Sequence, residues 1–247
     1  MKRFYRKFME DSGFVSFEIK YQQADLWIST EKKQFHENIV KDSAIELERL
    51  YTELEAYIKQ TPNFKNSLVP LPFDENCSFM IQSMYRASEL AGLGPMASVA
   101  GCFAENLGNF LTKKFGLRQV LVENGGDVFG VFTRLLKIAV HAGDNILSGK
   151  IGIELPPGDS PMGICTSSGL IGPSLNFGKA DAVMIACKNT LLADAYATAF
   201  SNMVKTEDDV DYIIEKINKL DNVLSAIIIK DSHVGFTGKY KLKIFDV

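Results

Sequence analysis

Histidine is scarce in this chain: His36, His141 and His233 are the only three among 247 residues. No two of them stand in the His-x-x-x-His spacing of an imidazole-rich metal site, so metallopeptidase-type zinc chemistry has no support. The four cysteines (Cys77, Cys102, Cys165 and Cys187) include no Cys-x-x-Cys pair, which removes zinc-ribbon and thioredoxin readings. Long apolar runs are also missing, since nothing approaches the roughly 18 residues that a membrane span needs. There is no basic excess: 27 Lys and Arg stand against 30 Asp and Glu, a net charge of −3. A dedicated nucleic-acid binder would usually show the opposite balance, so neither nucleic acid nor membrane is an expected partner. The start, Met1-Lys2-Arg3-Phe4-Tyr5-Arg6-Lys7, is basic but has no apolar stretch behind it. Neither a secretory signal nor a lipoprotein anchor is expected, and a cytoplasmic location with free thiols is the default.

What is present is ordinary globular composition, 46% apolar and 23% charged, over a length that suits one large domain. Residues 14–28 alternate imperfectly and predict a strand pair. Over residues 35–58 the pattern turns helical, and Thr61-Pro62 closes it. Residues 66–74 form a Pro-containing loop. Helices are expected over 77–90, ending at Ala91-Gly92, and from Pro95 to just before Gly116. Strands follow at 119–123, 128–132, 136–141, 150–155, 163–166 and 180–186. Asn189-Thr190 caps a helix running to about Met203, and Thr206-Glu207-Asp208-Asp209 caps another that ends near Leu220. Strands at 223–229, 233–236 and 240–245 complete an α+β chain of mixed or antiparallel sheets packed with helices. The expectation is one domain, residues 1–247: a strand pair and long helix over 1–75, and a ligand-site core over 76–247. No sequence repeat is visible, although an internal structural duplication without one is compatible with the pattern.

Five places carry candidate chemistry. Asn124-Gly125-Gly126-Asp127 follows a strand; its glycines permit φ > 0, consecutive N–H groups there suit a phosphate, and Asp127 suits a cation or hydroxyl. A plain hairpin turn explains the same residues. Thr166, Ser167 and Ser168 beside Gly169 suit a phosphate-contacting loop, and equally an ordinary surface loop. Asp194 and Thr198, four apart on a helix, share a face, where a carboxylate and a hydroxyl suit Mg2+; an Ala-rich packed helix is the bland alternative. Cys165 is a candidate nucleophile or sulfur carrier, with a small core residue as the commoner role for such a thiol. His141 ends a strand and is a candidate contact for phosphate or substrate, or a structural hydrogen-bonding residue. A lone Glu105 on its helix reads as solvated, with Glu105-Asn106 facing the site as the alternative.

In this order, Gly125-Gly126-Asp127, Thr166-Ser167-Ser168-Gly169 and Ala193-Asp194-Ala195-Tyr196-Ala197-Thr198 resemble the ApbE superfamily, the FAD:protein FMN transferases once labelled thiamine-biosynthesis lipoproteins. The stretches Gly94–Gly101, Cys165–Gly169 and Ser174–Ala182, with Glu55-Ala56-Tyr57-Ile58, are similar to a smaller ApbE-like family. The resemblance implies an ApbE-like α+β core, Mg2+ held by Asp194 and Thr198, and a phosphorylated, flavin-type ligand such as FAD. It also implies a transferase or a pyrophosphate-cleaving enzyme; a homo-oligomer is a separate expectation that does not come from the resemblance. One departure is plain: the superfamily's His-x-x-Asp-Pro-x-Thr-Gly stretch is replaced by Ser174-Leu175-Asn176-Phe177-Gly178-Lys179-Ala180. Transfer of FMN to a protein is therefore not inherited with the resemblance, and two alternatives stand beside it: a sulfur-transfer protein using a cysteine thiol, and a non-catalytic ligand-binding relative.

Overall fold

Aliphatic and β-branched runs of five to eight residues make the sheets, and longer amphipathic stretches cover them. The computed structural model describes residues 13–170 and 175–245. Strands β1 (Phe14–Tyr21) and β2 (Ala24–Glu31) form a hairpin. After it come helices α1 (Glu37–Gln60), a single turn α2 (Asn63–Asn66), α3 (Phe79–Ala91) and α4 (Val99–Phe115). Pro95–Ser98, expected to open α4, is a separate 3-10 turn. Strands β3 (Val120–Asn124), β4 (Asp127–Val131), β5 (Leu136–Ala139), β6 (Ile151–Leu155), β7 (Met162–Ser167) and β8 (Ala182–Cys187) follow. The chain closes with α5 (Thr190–Met203), α6 (Asp209–Ile217), β9 (Val223–Lys230), β10 (His233–Gly238) and β11 (Leu242–Ile244).

Two antiparallel sheets result. One has eight strands in the order β1-β2-β3-β4-β7-β8-β9-β10, and the other three, β11-β6-β5. Side chains alternate across the large sheet. One face puts Leu26, Ile28, Val120, Val122 and Phe129 against α1, α3 and α4, and Val183, Ile185 and Ile228 against α5 and α6. The other face puts Ile164, Ala182, Met184 and Ile227 against Ile151, Ile153 and Leu155 of the small sheet. The architecture is three layers: helices, large sheet, small sheet. β8 is buried along its whole length because it lies between two covered faces. The first hairpin is an integral part of this sheet: β2 pairs with β3, and α1 shares one core with α3 and α4.

Helix ends follow local chemistry. Gly92 and Gly116 end α3 and α4 in the left-handed region. The Asn189 side chain caps α5 by accepting from Leu192 N at 2.8 Å. At α6 the Asp209 carboxylate reaches back to the amides of Lys205 and Thr206, both at 2.8 Å, and the helix proper begins at Asp209. No helix among the described residues is long and apolar enough to cross a membrane.

Candidate functional site

The helix-covered face of the large sheet is apolar until it reaches one end. There the ladder Leu26–Asn124, Asn124–Asp127 and Asp127–Cys165 brings Asn124 and Asp127 to the face that α4 and α5 cover. Both are buried, at 8% and 7% exposure, among residues that are otherwise aliphatic. Polar groups in such a place need partners. The Asn124 amide donates to the Ala100 carbonyl at 3.2 Å, at the start of α4.

Asp194 converges on the same turn. From the first turns of α5 its Oδ2 accepts the Gly101 N–H at 2.8 Å. The amides of Ala100 and Gly101 belong to the first turn of α4, where no intrahelical acceptor exists, so Asp194 caps α4 from another helix. The service is returned: Glu105 on α4 accepts the Thr190 N–H at 2.6 Å, at the start of α5. Glu105 is thus a half-buried cap rather than a freely solvated side chain, and desolvation raises its carboxyl above the usual range while the Thr190 bonds pull it back. Burial likewise raises the Asp194 carboxyl, against the pull of the Gly101 and Ala100 amides. The crossing is tight because residue 101 is glycine: a Cβ there would lie 2.6 Å from the Thr190 carbonyl oxygen and 2.9 Å from Asp194 Cβ.

Cys165 sits between the two acids. It is fully buried, its thiol approaches the Thr190 carbonyl at 3.4 Å, and burial with Asp127 and Asp194 nearby pushes it far above its ordinary value. A thiol held neutral in this way is not an activated nucleophile, so the expectation of a reactive Cys165 is corrected: two carboxyls and a dry core oppose the thiolate. Cys102 and Cys187 are buried as expected, and Cys77 is half-buried.

The two loops turn out differently from a phosphate cradle. Gly125 and Gly126, with φ of +71° and +106°, are the two-residue loop joining β3 to β4. The Gly126 N–H is taken by Glu123 Oε1 at 2.7 Å, and its carbonyl accepts Thr166 N at 3.2 Å. Gly169 N bonds the Ala180 carbonyl, and Leu170 N bonds Ser168 Oγ. These amides join loop to loop and are not left for an anion. The three hydroxyls do not converge either. Strand alternation sends Thr166 to the face opposite Ser167. Ser167 Oγ accepts from Asn176, which also donates to Ser201 Oγ on α5, at 3.0 and 2.9 Å, while Ser168 Oγ lies 3.3 Å from the Ala180 carbonyl.

Asn176 is therefore a tie between β7 and α5 that the sequence did not single out, and Asp181 is another. Asp181 is buried at the start of β8, where it accepts from Asp231 N at 2.6 Å and from Asn145 at 2.9 Å. Runs of Ser, Asn and Gly around both residues look like ordinary loop.

Thr198 follows Asp194 by one helical turn and is half-buried, on the way to Ser201. His141 is not brought into this cluster. Its neighbours Val140 and Ala142 pack in the layer on the opposite face of the large sheet. Its Nδ1 lies 3.3 Å from Ser148 Oγ, and burial lowers its pKa against the opposing pull of Asp144.

The donor set can be tested against Mg2+. Asp194 and Thr198 supply a carboxylate and a hydroxyl, the hard oxygens that this ion takes. The carboxylate has acceptor capacity beyond its bonds to α4. Among the described residues no group of three or more His, Cys, Asp and Glu is arranged to hold a metal. Mg2+ held here would therefore need ligand phosphates and water to complete its shell, since the described residues offer no cage made wholly of protein.

Comparison with known proteins places this fold. The fold is that of ApbE: the flavin transferase ApbE from Vibrio cholerae superposes with a TM-score of 0.60 over 94% of this chain and 96% of its own, at 10% identity. The ApbE protein of Thermotoga maritima superposes with a TM-score of 0.53 over 91% and 96%, at 12% identity. At the sequence level the chain belongs to the family described as "AbpE bacteria", which matches residues 6–222. Its relatives include UPF0280 proteins of Methanothermobacter thermautotrophicus, 35% identical over 76% of this chain and 73% of theirs, and of Methanobrevibacter smithii, 37% identical over 77% and 82%.

Proposed function

We propose that the end of the large sheet bounded by Asp127, Ser167, Asp194 and Thr198 binds a phosphorylated flavin nucleotide of the FAD type together with Mg2+. The observation that carries the proposal is Asp194. A carboxylate that caps a neighbouring helix, lies 7% exposed and has a hydroxyl one turn along the same face is fixed before any ligand arrives. Family membership and the flavin-transferase names of the structural neighbours support the choice of ligand. Bound Mg2+ would act as a Lewis acid, neutralising phosphate charge. Asp194 and Thr198 would hold it, and the α4 cap would keep the carboxylate from turning away. Because the Gly126, Gly169 and Leu170 amides are engaged, the phosphates are held mainly through the metal and side chains rather than through a backbone cradle. The reaction class is cleavage or transfer at a pyrophosphate. Protein flavinylation is left out, since Asn176-Phe177-Gly178-Lys179-Ala180 has none of the expected His, Asp and Pro. The four free thiols suit a reducing, cytoplasmic setting.

The test is thermal melting with FAD, FMN and ATP, each with and without Mg2+. Ligands that bind the native state raise the melting temperature. A rise with FAD that requires Mg2+ and vanishes in Asp194→Ala is expected. A melting temperature indifferent to all three nucleotides contradicts the proposal and leaves the non-catalytic reading.

A further inference from the structure

The opposite end of the large sheet holds a different kind of surface. A cleft of about 510 Å3 opens there, lined by Gly13, Glu31, Lys32, Lys33 and Arg134. Three of its five lining residues are cationic and one is acidic, in a chain whose net charge is −3. Exposed Arg118 belongs to the same end, since it lies two residues before Val120, which pairs with both Thr30 and Val131. Several lysines elsewhere find carboxylates: Lys114 bonds Asp42 at 2.8 Å and Lys239 bonds Asp159 at 2.6 Å. Among the described residues, Lys32, Lys33 and the Arg118 side chain form no ion pair. Leaving like charges together without counterions costs stability, and a bound anion removes that cost.

The cations are also held in place. Arg134 Nε donates to Gln119 Oε1 at 3.4 Å, and its guanidinium lies over the Phe14 ring, 5.2 Å from the centroid. Gln119 is itself buried at 4% exposure, so the arginine is anchored to the rigid sheet. Its guanidinium is a planar fork whose two terminal nitrogens can pair with two phosphate oxygens. The turn carrying Lys32 and Lys33 is tied by Lys32 N to the Gly13 carbonyl at 3.0 Å. Gln34 closes it from the other side, accepting from Arg118 N and donating to the Gly116 carbonyl, both at 3.1 Å.

We infer that this cleft is a second anion site, separate from the one at Asp194, and that it takes a small phosphate-bearing ligand of diphosphate size. Arg134 grips it bidentately while Lys32 and Lys33 supply point charges. Glu31, the one acid in the lining, repels any anion there and so weakens binding.

Amide and Arg Nε resonances of the 15N-labelled full chain, followed during titration with pyrophosphate without Mg2+ at constant ionic strength, test the inference. Gly13, Lys32, Lys33 and Arg134 should shift together. Arg134→Gln should weaken binding about tenfold, the loss of a charge-assisted pair, and Lys33→Ala should weaken it by a smaller factor. Glu31→Gln should tighten it, and Asp194→Ala should leave these shifts unchanged. An ADP arm tells a free diphosphate from one carried by a nucleotide; a pyrophosphate response with or without a matching ADP response supports the site. Unchanged affinity in both Arg134→Gln and Lys33→Ala overturns it, as do shifts confined to the Thr166–Gly169 end.

Discussion

The two ends of the eight-stranded sheet are built by opposite rules. At the Asp194 end the charges are acidic, sheltered and tied by hydrogen bonds: Asp194 to α4, half-buried Glu105 to α5, Asp181 to the β9–β10 turn. At the Arg134 end they are basic, solvent-facing and largely unpaired. The first end is fixed by tertiary hydrogen bonds that cross between helices, so removing one group there disturbs the fold as well as the site. At the second end the cations sit on the rim, so a substitution should change binding and little else. The contrast separates two kinds of evidence for function, burial of an acid against its intrinsic preference and clustering of cations without counterions.

The largest effect that could break this comparison is at the helix crossing. Gly101→Ala forces α4 and α5 apart or expels a hydrogen bond, and overpacking of this kind costs about 1–3 kcal/mol. Chemical denaturation should report that loss together with loss of any Mg2+-dependent FAD response. An equally stable variant would show that the crossing is looser than described. Asp194→Ala is next: it leaves the first-turn amides of α4 without their acceptor, at about 1–3 kcal/mol. Its melting temperature should fall even without ligand, a result not expected for an acid that serves a metal alone.

Glu105→Gln keeps a cap on Thr190 and should cost less, about 1 kcal/mol at most. Its pH dependence carries the sharper signal. The folded carboxyl is raised above its ordinary value of 4.5, chiefly by burial. The folded state therefore holds its proton more tightly than the unfolded chain. The stabilisation this group gives is complete at low pH and is lost as pH rises through its folded value. The stability of the wild type relative to Glu105→Gln should accordingly decline from pH 4.5 upward; a difference flat with pH would mean that the carboxyl is not buried as described. Smallest of all is the effect of Arg134→Gln on stability, which should fall within about 0.5 kcal/mol.

Much of the fold was legible because its signals are local. Glycines at 92 and 116, the Asn189 cap, the imperfect alternation over residues 14–28 and the apolar run of β9 each act within a few residues. Most strand limits came within one or two positions. Loop chemistry was the weak point. Gly125-Gly126 and Thr166–Gly169 have the composition of an anion loop, yet their amides satisfy Glu123, Ala180 and one another. Composition names the donors and cannot name the acceptor when it arrives from another strand. For Glu105 the same reason hid the partner, which is 85 residues away. His141 was misplaced because a strand end says nothing of which layer that strand joins. The basic end escaped notice because Lys32, Arg118 and Arg134 come from three separate strand ends that only the sheet register unites.

The most direct measurement is FAD affinity by calorimetry, with and without Mg2+, in the wild type, Asp194→Asn and Arg134→Gln. Asp194→Asn retains an acceptor for the α4 amides and removes the charge that a cation needs. The account predicts Mg2+-dependent FAD binding in the wild type and Arg134→Gln, and its loss in a folded Asp194→Asn. Equal, Mg2+-dependent FAD affinity in all three would contradict the assignment of Asp194 as the metal-holding carboxylate.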